Sequence, residues 1–474
     1  MGYHRQKITH PPITIRLQKM NSDIEPEQAT IYALSSGVGK SGIAVVRISG
    51  PAAQNTVERL AGRLPKPRSA TLRQIRNPAD QTIIDQSLIL WFPGPHSFTG
   101  EDIAEFHIHG GRAVINGLIK VLAHEPGLRA ADPGEFTRRA FENGKLDLTE
   151  TEGLADLIDA ETDAQRNQAL HQLGGGLSTI YETWRQNLIK AQSLIEAEID
   201  FSDEEDILPE AISAATELVK TLKSEISNHL DSQKSGEIIR DGFRVVLAGP
   251  PNVGKSSILN ALAKRDAAIT SSIAGTTRDA IEVFLDLDGW PVHITDTAGI
   301  HNADDISEIE RQGISRSLKH AKNANLVIWV MDISNPDTHA PPPDEFSRAG
   351  QALITIANKT DLAEQDKQLN MPRPNLGISA KSGSHIAGLI NIIAEQAADQ
   401  MTGHDAPVIT RARHRENLAA CNQAMARFLE YPDRELELRA EDLRQAASAI
   451  GRITGRIDVE DILDDLFSSF CIGK

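Results

Sequence analysis

Gly-Lys-Ser, the ending of a phosphate-binding loop, occurs twice in the chain, as Gly39-Lys40-Ser41 and as Gly254-Lys255-Ser256. Only the second satisfies the full spacing. Gly249 stands five residues before Gly254, and the apolar run Phe243 to Ala248 before it reads as a buried strand. Gly249 and Gly254 let the backbone curl until its N–H groups face the phosphates. Lys255 reaches the β- and γ-phosphates, and Ser256 offers its hydroxyl to Mg²⁺. Asn252, Val253 and Ser257 complete the cradle. The helix predicted to begin there turns its positive end to the anion. The first tripeptide fails this test, because the position five before Gly39 is Leu34. Its Gly37-x-Gly39-x-x-Gly42 spacing also leads into an extended run, where a dinucleotide fingerprint needs a helix. It is predicted as a glycine-rich turn between two strands.

The phosphate loop is followed by the parts of a guanine pocket, in order. Ser271, Ser272, Ile273, Ala274 and Gly275 lead to Thr276-Thr277, where a switch threonine can complete the Mg²⁺ shell. Asp296-Thr297-Ala298-Gly299 supplies a carboxylate for a Mg²⁺-bound water and a glycine N–H for the γ-phosphate. In "NKTD" (Asn358, Lys359, Asp361) the aspartate can accept both the N1 and N2 hydrogens of guanine, a bidentate contact closed to adenine. "SAK" (Ser379, Ala380, Lys381) can bring a backbone N–H to guanine O6. The residue after Gly299 is Ile300, so the glutamine that orients water in Ras-like proteins is missing. Arg278 could be an arginine finger or a surface residue of the switch. Glu308 and Glu310 could orient water or line an exposed helix face.

These loops need a doubly wound sheet, and strands alternate with helical patterns from Phe243 to about Ala398. Helical periodicity flanks that stretch on both sides. Trp184, Leu188, Ala191, Ile195 and Ile199 make one stripe, and Leu418, Cys421, Met425 and Phe428 another. One helical domain with the α/β domain inserted into it is the simplest arrangement. Residues 29–145 read as α+β, from the short runs "GIAVVRI", "SLILWF" and "AEFHIH" and a helical pattern after Gly110. His107 and His109 share a strand face, and the reading preferred for them is core or dimer-interface packing rather than metal binding.

Composition narrows the function. The chain has 474 residues with 40% hydrophobic and 24% charged, as in water-soluble globular domains. Its two cysteines, Cys421 and Cys471, exclude a disulfide framework and suit a reducing cytoplasm. No apolar run reaches the roughly 18 residues of a membrane span. A net charge of −17 repels a polyanion, so an RNA substrate would need a local basic patch or a partner protein. Residues 1–28 read as a disordered leader. Arg5, Lys7, Arg16 and Lys19 also give it the look of a transit peptide, and Met20 is an alternative start.

The segments "VVRISGP", "SFTGEDIAEFHIHGG", "PGEFTRRAFENGKLDLTETEGLADLIDA" and "FSSFCIGK", with the guanine set, carry a resemblance over about Thr30 to Lys474. The chain resembles the MnmE (TrmE) tRNA-modification GTPases. That resemblance implies a folate-binding and dimerisation domain at 29–145 and a helical domain at 146–240 and 399–474, with a Cys-Ile-Gly-Lys tail. A Ras-like P-loop G domain at 241–398 is inserted into the helical one. It also implies a homodimer working with the flavin- and NADH-dependent MnmG (GidA) in a heterotetramer or larger complex, with the tRNA held mainly by the partner. The pair would add an aminomethyl or carboxymethylaminomethyl group to C5 of the wobble uridine. The one-carbon donor would be 5-formyl- or 5,10-methylene-tetrahydrofolate, held by Arg47, Glu105, Lys145 and Lys474.

By the same similarity, K⁺ takes the place of an arginine finger. It would be held by the Asn252 side chain and the loop Ser271 to Thr277, with Ser271 and Ile273 giving backbone oxygens and Thr276 closing the site. Glu310 would position the water through a second water. Cys471 is expected to act in the uridine modification. Asp132, before "PGEF", departs from the family, where a basic residue is expected. Two other readings compete: an Era-like regulatory GTPase of ribosome assembly, and a stand-alone folate-dependent transferase with a regulatory G domain. Acids outnumber bases after His404, which is unlike the basic RNA-binding domain that the Era-like reading needs.

Overall fold

The computed structural model describes residues 29–37, 39–200, 208–231, 234–264, 268–269, 281–296, 323–346, 351–363, 374–402, 408–457 and 460–474. The chain divides into two compact units, Met1–Leu146 with Asp461–Lys474, and Asp147–Glu460.

The first unit is built on a six-stranded sheet. Its strands are β1 (Thr30–Leu34), β2 (Ser41–Ser49), β3 (Thr71–Arg76), β4 (Ile83–Phe92), β5 (Ile103–Gly110) and β6 (Leu128–Ala130), in the order β3-β4-β5-β2-β1-β6. All neighbours are antiparallel except β1 and β6. The strands carry period-2 alternation. Ala44, Val46 and Ile48 of β2 and Ala104, Phe106 and Ile108 of β5 are buried. They pack on Val57 and Leu60 of α1 (Ala53–Ala61) and Leu118 and Leu122 of α2 (Arg112–Leu122). Alternation sends Arg47, Glu105 and His107 to the other face. A smaller core of Ile31, Ala33, Ala131 and Phe136 closes around β1 and α3 (Glu135–Glu142). The turn between β1 and β2 contains Gly37 and Gly39, as the sequence predicts, while Gly42 lies inside β2.

The C-terminal segment belongs to this unit. An alanine Cβ at Gly134 (φ +67°) would come 2.6 Å from the Phe467 carbonyl, and one at Gly473 (φ +98°) would come 2.2 Å from that of Leu34. Ile472 bridges to Pro133, and Arg138 stacks over the Phe467 ring and pairs with Asp464. The tail is thus docked where no Cβ is tolerated, rather than frayed.

In the second unit, α4 (Leu148–Asp159) and α5 (Asp163–Leu173) each open with a reciprocal capping box, Asp147 with Glu150 and Thr162 with Gln165. The helices α6 (Gly176–Asp200) and α7 (Leu208–Asp231) precede α8 (Lys234–Asp241). The predicted stripe of α6, Trp184 to Ile195, shares one core with Leu418, Cys421, Met425 and Phe428, which lie far later in the chain. Between them stands a seven-stranded sheet with its own core. Its strands are β7 (Phe243–Ala248), β8 (Ala268–Ile269), β9 (Ile281–Leu287), β10 (Trp290–Asp296), β11 (Leu326–Asp332), β12 (Ala352–Asn358) and β13 (Leu376–Gly377). Their order is β13-β12-β11-β7-β10-β9-β8, with β13, β12, β11, β7 and β10 mutually parallel and β9 and β8 added antiparallel. Helices α9 (Lys255–Ala263) and α10 (Ile386–Met401) pack on it. The chain returns through α11 (Ala412–Glu430) and α12 (Leu436–Thr454), and α13 (Glu460–Ser469) belongs from Asp461 onward to the first unit.

The entry and exit segments of the inserted domain touch. A Cβ on Gly236 of α8 would lie 2.3 Å from the Ile409 carbonyl. Both segments are pinned to α4: Arg240 and Arg411 pair with Asp156, at 3.3 and 2.7 Å. Arg411 and Arg413 also pair with Glu152, which is almost fully buried. A polar cavity of about 150 Å³ opens beside this pair, between Asp156, Gln165 and Arg240.

Candidate functional site

The inserted domain brings its nucleotide motifs together at the carboxyl ends of β7, β11 and β12, where an open parallel sheet binds ligands. The phosphate loop follows β7. Gly254 is the N-cap of α9 in the left-handed region (φ +96°), and Asn252 is also left-handed (φ +62°). Lys255 is buried and folds over the loop, donating to the carbonyls of Gly249 (2.9 Å) and Pro250 (2.8 Å). Burial pulls its ammonium below the usual lysine range, and Asp296 partly opposes this. Ser256 donates to the Asp296 carboxylate at 2.5 Å. A hydroxyl and a buried carboxylate so paired are the hard oxygen donors that suit Mg²⁺.

The base-recognition loops lock onto that cradle. Asn358, 2% exposed, donates to the Val253 carbonyl (2.9 Å) and accepts from the Ala380 N–H (3.1 Å). The sequence reading directs a backbone N–H of "SAK" to guanine O6; here the Ala380 N–H is held by Asn358. Ser379 is fully buried and donates to Asp361 at 2.6 Å, which aims an otherwise exposed carboxylate. Lys359 Nζ donates to the Asn252 carbonyl (2.8 Å) and to Asp332 (2.7 Å). Lys381 is exposed, as are Ser256 and Ser257 at the start of α9, while Val253 is buried. Asp332 is a residue the sequence reading missed. Its only signal is an acid at the end of the apolar run "LVIWVM".

Ser271, Ser272, Ile273, Ala274, Gly275, Thr276, Thr277 and Arg278 lie outside the described residues, as do Thr297, Ala298, Gly299, Ile300, Glu308, Glu310 and the leader 1–28.

On the second face of the N-terminal sheet, Arg47 and Glu105 are direct cross-strand partners, joined through Nη2 at 2.9 Å and Nε at 3.0 Å. Arg47 lies 5.6 Å from the Phe98 ring centroid and 5.7 Å from that of Phe136. A half-buried cation and carboxylate between aromatic rings suit a ligand with a flat ring at one end and an acid at the other. The in-register row continues to Ala33, and Gly473 of the tail approaches the next residue, Leu34. Cys471 is exposed beside it, and the Lys474 N–H bonds the Cys471 carbonyl. Lys145 reaches toward Gly100, where an added Cβ would lie 3.3 Å from its Cε. Phe98 and Phe136 also escaped the sequence reading.

His107 and His109 lie outside the core of the first unit. His109 is 71% exposed and bonds Asp85 at 2.8 Å, while His107 faces Glu105 at 3.3 Å. Among the described residues no group of His, Cys, Asp and Glu could hold a metal ion. Asp132, the departure noted in the sequence, points to solvent and is 3.9 Å from Arg129. Glu135 takes over the pairing, holding Arg129 at 2.5 Å and Arg139 at 3.0 Å. Burial opposes the Glu135 charge, but Arg129 and the Asp132 N–H outweigh it and hold the carboxyl below its usual range. Among the described residues no helix is long and apolar enough to cross a membrane.

Comparison with known families and proteins agrees along the chain. Residues 30–145 match the family described as GTP-binding protein TrmE N-terminus, and residues 148–471 match MnmE helical domain. The tRNA modification GTPase MnmE of Parvibaculum lavamentivorans is 50% identical over 453 residues, 94% of this chain and 100% of that protein. The proteins of the same name from Beijerinckia indica and Rhodopseudomonas palustris (strain BisB18) are 47% and 48% identical, each over 94% of this chain.

Proposed function

Since the chain belongs to the MnmE family of tRNA modification GTPases, we propose that it couples GTP hydrolysis to building a substituent on C5 of the wobble uridine of certain tRNAs. The observation that carries this reading is identity at 50% over the whole length of a MnmE relative, joined to a guanine pocket whose parts interlock. The same identity favours it over a regulatory GTPase of ribosome assembly.

In this reading Lys255, Ser256 and the N–H groups before α9 bind the phosphates. Ser256 and Thr277 would hold Mg²⁺, with Asp296 on a water bound to it, and the ion would neutralise phosphate charge. Asp361 reads guanine. Asn252 and the loop Ser271 to Thr277 hold K⁺, and Glu310 positions the water. Arg47, Glu105, Lys145 and Lys474 hold a one-carbon tetrahydrofolate, and Cys471 beside it takes part in the modification. The protein acts as a cytoplasmic homodimer with the flavoprotein MnmG (GidA), which also supplies most of the tRNA contacts and so compensates for the −17 charge. The final substituent is aminomethyl or carboxymethylaminomethyl.

Nucleoside analysis of tRNA from cells lacking the gene tests the reading. The C5-modified wobble uridine is expected to disappear and to return with the wild-type gene, but not with Cys471→Ser. An unchanged nucleoside profile in the deletion strain would overturn it. The cation assignment has its own check. GTP hydrolysis is expected to be roughly tenfold faster or more in K⁺ than in Na⁺ at equal ionic strength, the scale of one transition-state charge contact. Asn252→Ala should remove that difference while GDP still binds. Equal rates in both salts would leave the missing glutamine unexplained and return attention to Arg278.

A further inference from the structure

We propose that Asp332 is a positioning residue of the guanine pocket, acting through Lys359 on the base-reading turn and the phosphate loop at once. This rests on the guanine-pocket reading of "NKTD" above.

Asp332 ends β11, a strand buried at every residue, and it is paired in register with Asn358 at the end of β12. It is 5% exposed. One carboxylate oxygen accepts from the Ser334 N–H (2.9 Å) and hydroxyl (2.7 Å), and the other receives Lys359 Nζ at 2.7 Å. The backbone beneath is braced as well. The Asp332 N–H donates to the Thr338 hydroxyl (3.0 Å), and the His339 ring nitrogen meets the Asp332 carbonyl at 2.9 Å. The carboxylate is therefore a fixed point, held by its own loop on one oxygen and by Lys359 on the other.

What it fixes is strained. Lys359 (φ +66°) and Asn252 (φ +62°) are both non-glycine residues in the left-handed region, and one ammonium spans them, since Lys359 Nζ also donates to the Asn252 carbonyl. Lys359 is in addition the N-cap of the short turn Thr360–Leu362 that carries Asp361. The ammonium sits in a half-buried place, with a carboxylate on one side and a carbonyl on the other. Without Asp332 it loses its only charge partner among the described residues and turns toward water. It then releases the Asn252 carbonyl. Two backbone conformations that L residues adopt reluctantly lose their common anchor, one in the phosphate loop and one in the base pocket.

The test is a double-mutant cycle on GDP affinity, measured with a fluorescent GDP analogue on the full-length protein. Lys359→Ala alone tests the pocket reading and is expected to weaken binding about 10- to 100-fold, the range for a charge-assisted contact. Asp332→Ala is expected to weaken it about tenfold, and the double variant no more than Lys359→Ala alone, because both substitutions break one chain of contacts. Asp332→Asn, which can still accept from Ser334 but lacks the charge, should fall with Asp332→Ala and serves if the alanine variant does not fold. Multiplying losses in the double variant, or wild-type affinity in Asp332→Asn, would overturn the proposal. Unchanged affinity in Lys359→Ala would instead overturn the pocket reading on which it rests.

Discussion

Alanine at Gly254 is expected to weaken GDP binding by roughly 10²- to 10³-fold. Two effects combine. The residue sits at φ +96°, where an L side chain is strained by about 1–3 kcal/mol. Its Cβ would also lie 2.4 Å from Asn358 Nδ2, closer than a methyl group and an amide can approach. Asn358 is 2% exposed and cannot swing aside into solvent. It would have to leave the Val253 carbonyl or the Ala380 N–H, at about 1 kcal/mol for each buried hydrogen bond. The sum is roughly 2–5 kcal/mol in the geometry that joins the phosphate and base loops, and the middle of that span, about 3–4 kcal/mol, corresponds to the range given. Gly383→Ala is the control. That glycine has φ +79° but no atom within 4 Å of its Cβ position, so it incurs the strain without the clash. Its expected loss is about tenfold. Titration of both variants with the GDP analogue separates the terms. Equal losses would mean that strain alone governs the loop.

The comparison of Gly254 with Asp332 shows what the sequence could and could not convey. Gly254 is legible because the phosphate loop is contiguous: fixed spacing, an apolar strand before it and a helix after it all lie within about twenty residues. The alternating strands β2, β4 and β5 were legible for the same local reason. Asp332 was not, because its partner Lys359 is brought to it by strand pairing and its meaning depends on that register. Arg47 and Glu105 were each singled out by resemblance, yet only the β2–β5 register makes them one ion pair across 58 residues of sequence. Alternation puts His109 opposite Ile108, but the sequence does not tell which face the helices cover. The placement of the tail beside Arg47 and Glu105 was implied by the resemblance alone, not by the glycines of "PGEF" and "CIGK". Their close contacts with Phe467 and Leu34 are tertiary facts. The switch residues Thr276, Thr277 and Glu310 rest on the sequence alone, since they lie outside the described residues.

The second large effect concerns stability rather than chemistry. Glu152 of α4 is 2% exposed and accepts from Arg413 Nε at 2.7 Å and His414 Nε2 at 2.9 Å, with Arg411 Nε at 3.2 Å. Burial opposes its charge, but His414 and Arg413 outweigh burial and hold the carboxyl well below the usual carboxylate range. His414 is moved the other way. Burial keeps its ring below the ordinary histidine value despite Glu152, so at neutral pH the ring donates as a neutral imidazole. Arg413 and Arg411 are then the permanent balancing charges. Glu152→Ala would strand two guanidinium groups in a buried setting, for an expected loss of about 3–5 kcal/mol. That corresponds to a fall of at least about 6 °C in the first calorimetric transition. Glu152→Gln keeps the shape without the charge and should fall between.

The pH dependence gives an independent sign. A carboxylate with a depressed folded pKa contributes stability that is complete above its unfolded value of about 4.3 and is lost as pH falls through the folded value. A histidine buried neutral behaves alike from about 6.5 downward, and burial and then His414 push His229, beside Trp184, down to about 4. Acid should therefore destabilise the wild-type protein in two stages, histidines first and Glu152 below about pH 4.3. In Glu152→Gln the carboxylate stage should vanish, so the variant should lose no further stability from this site below about pH 4.3, while its histidine stage deepens because Glu152 no longer favours the charged form of His414. A carboxylate stage that persists below about pH 4.3 in Glu152→Gln would mean that another buried acid, not Glu152, produces it.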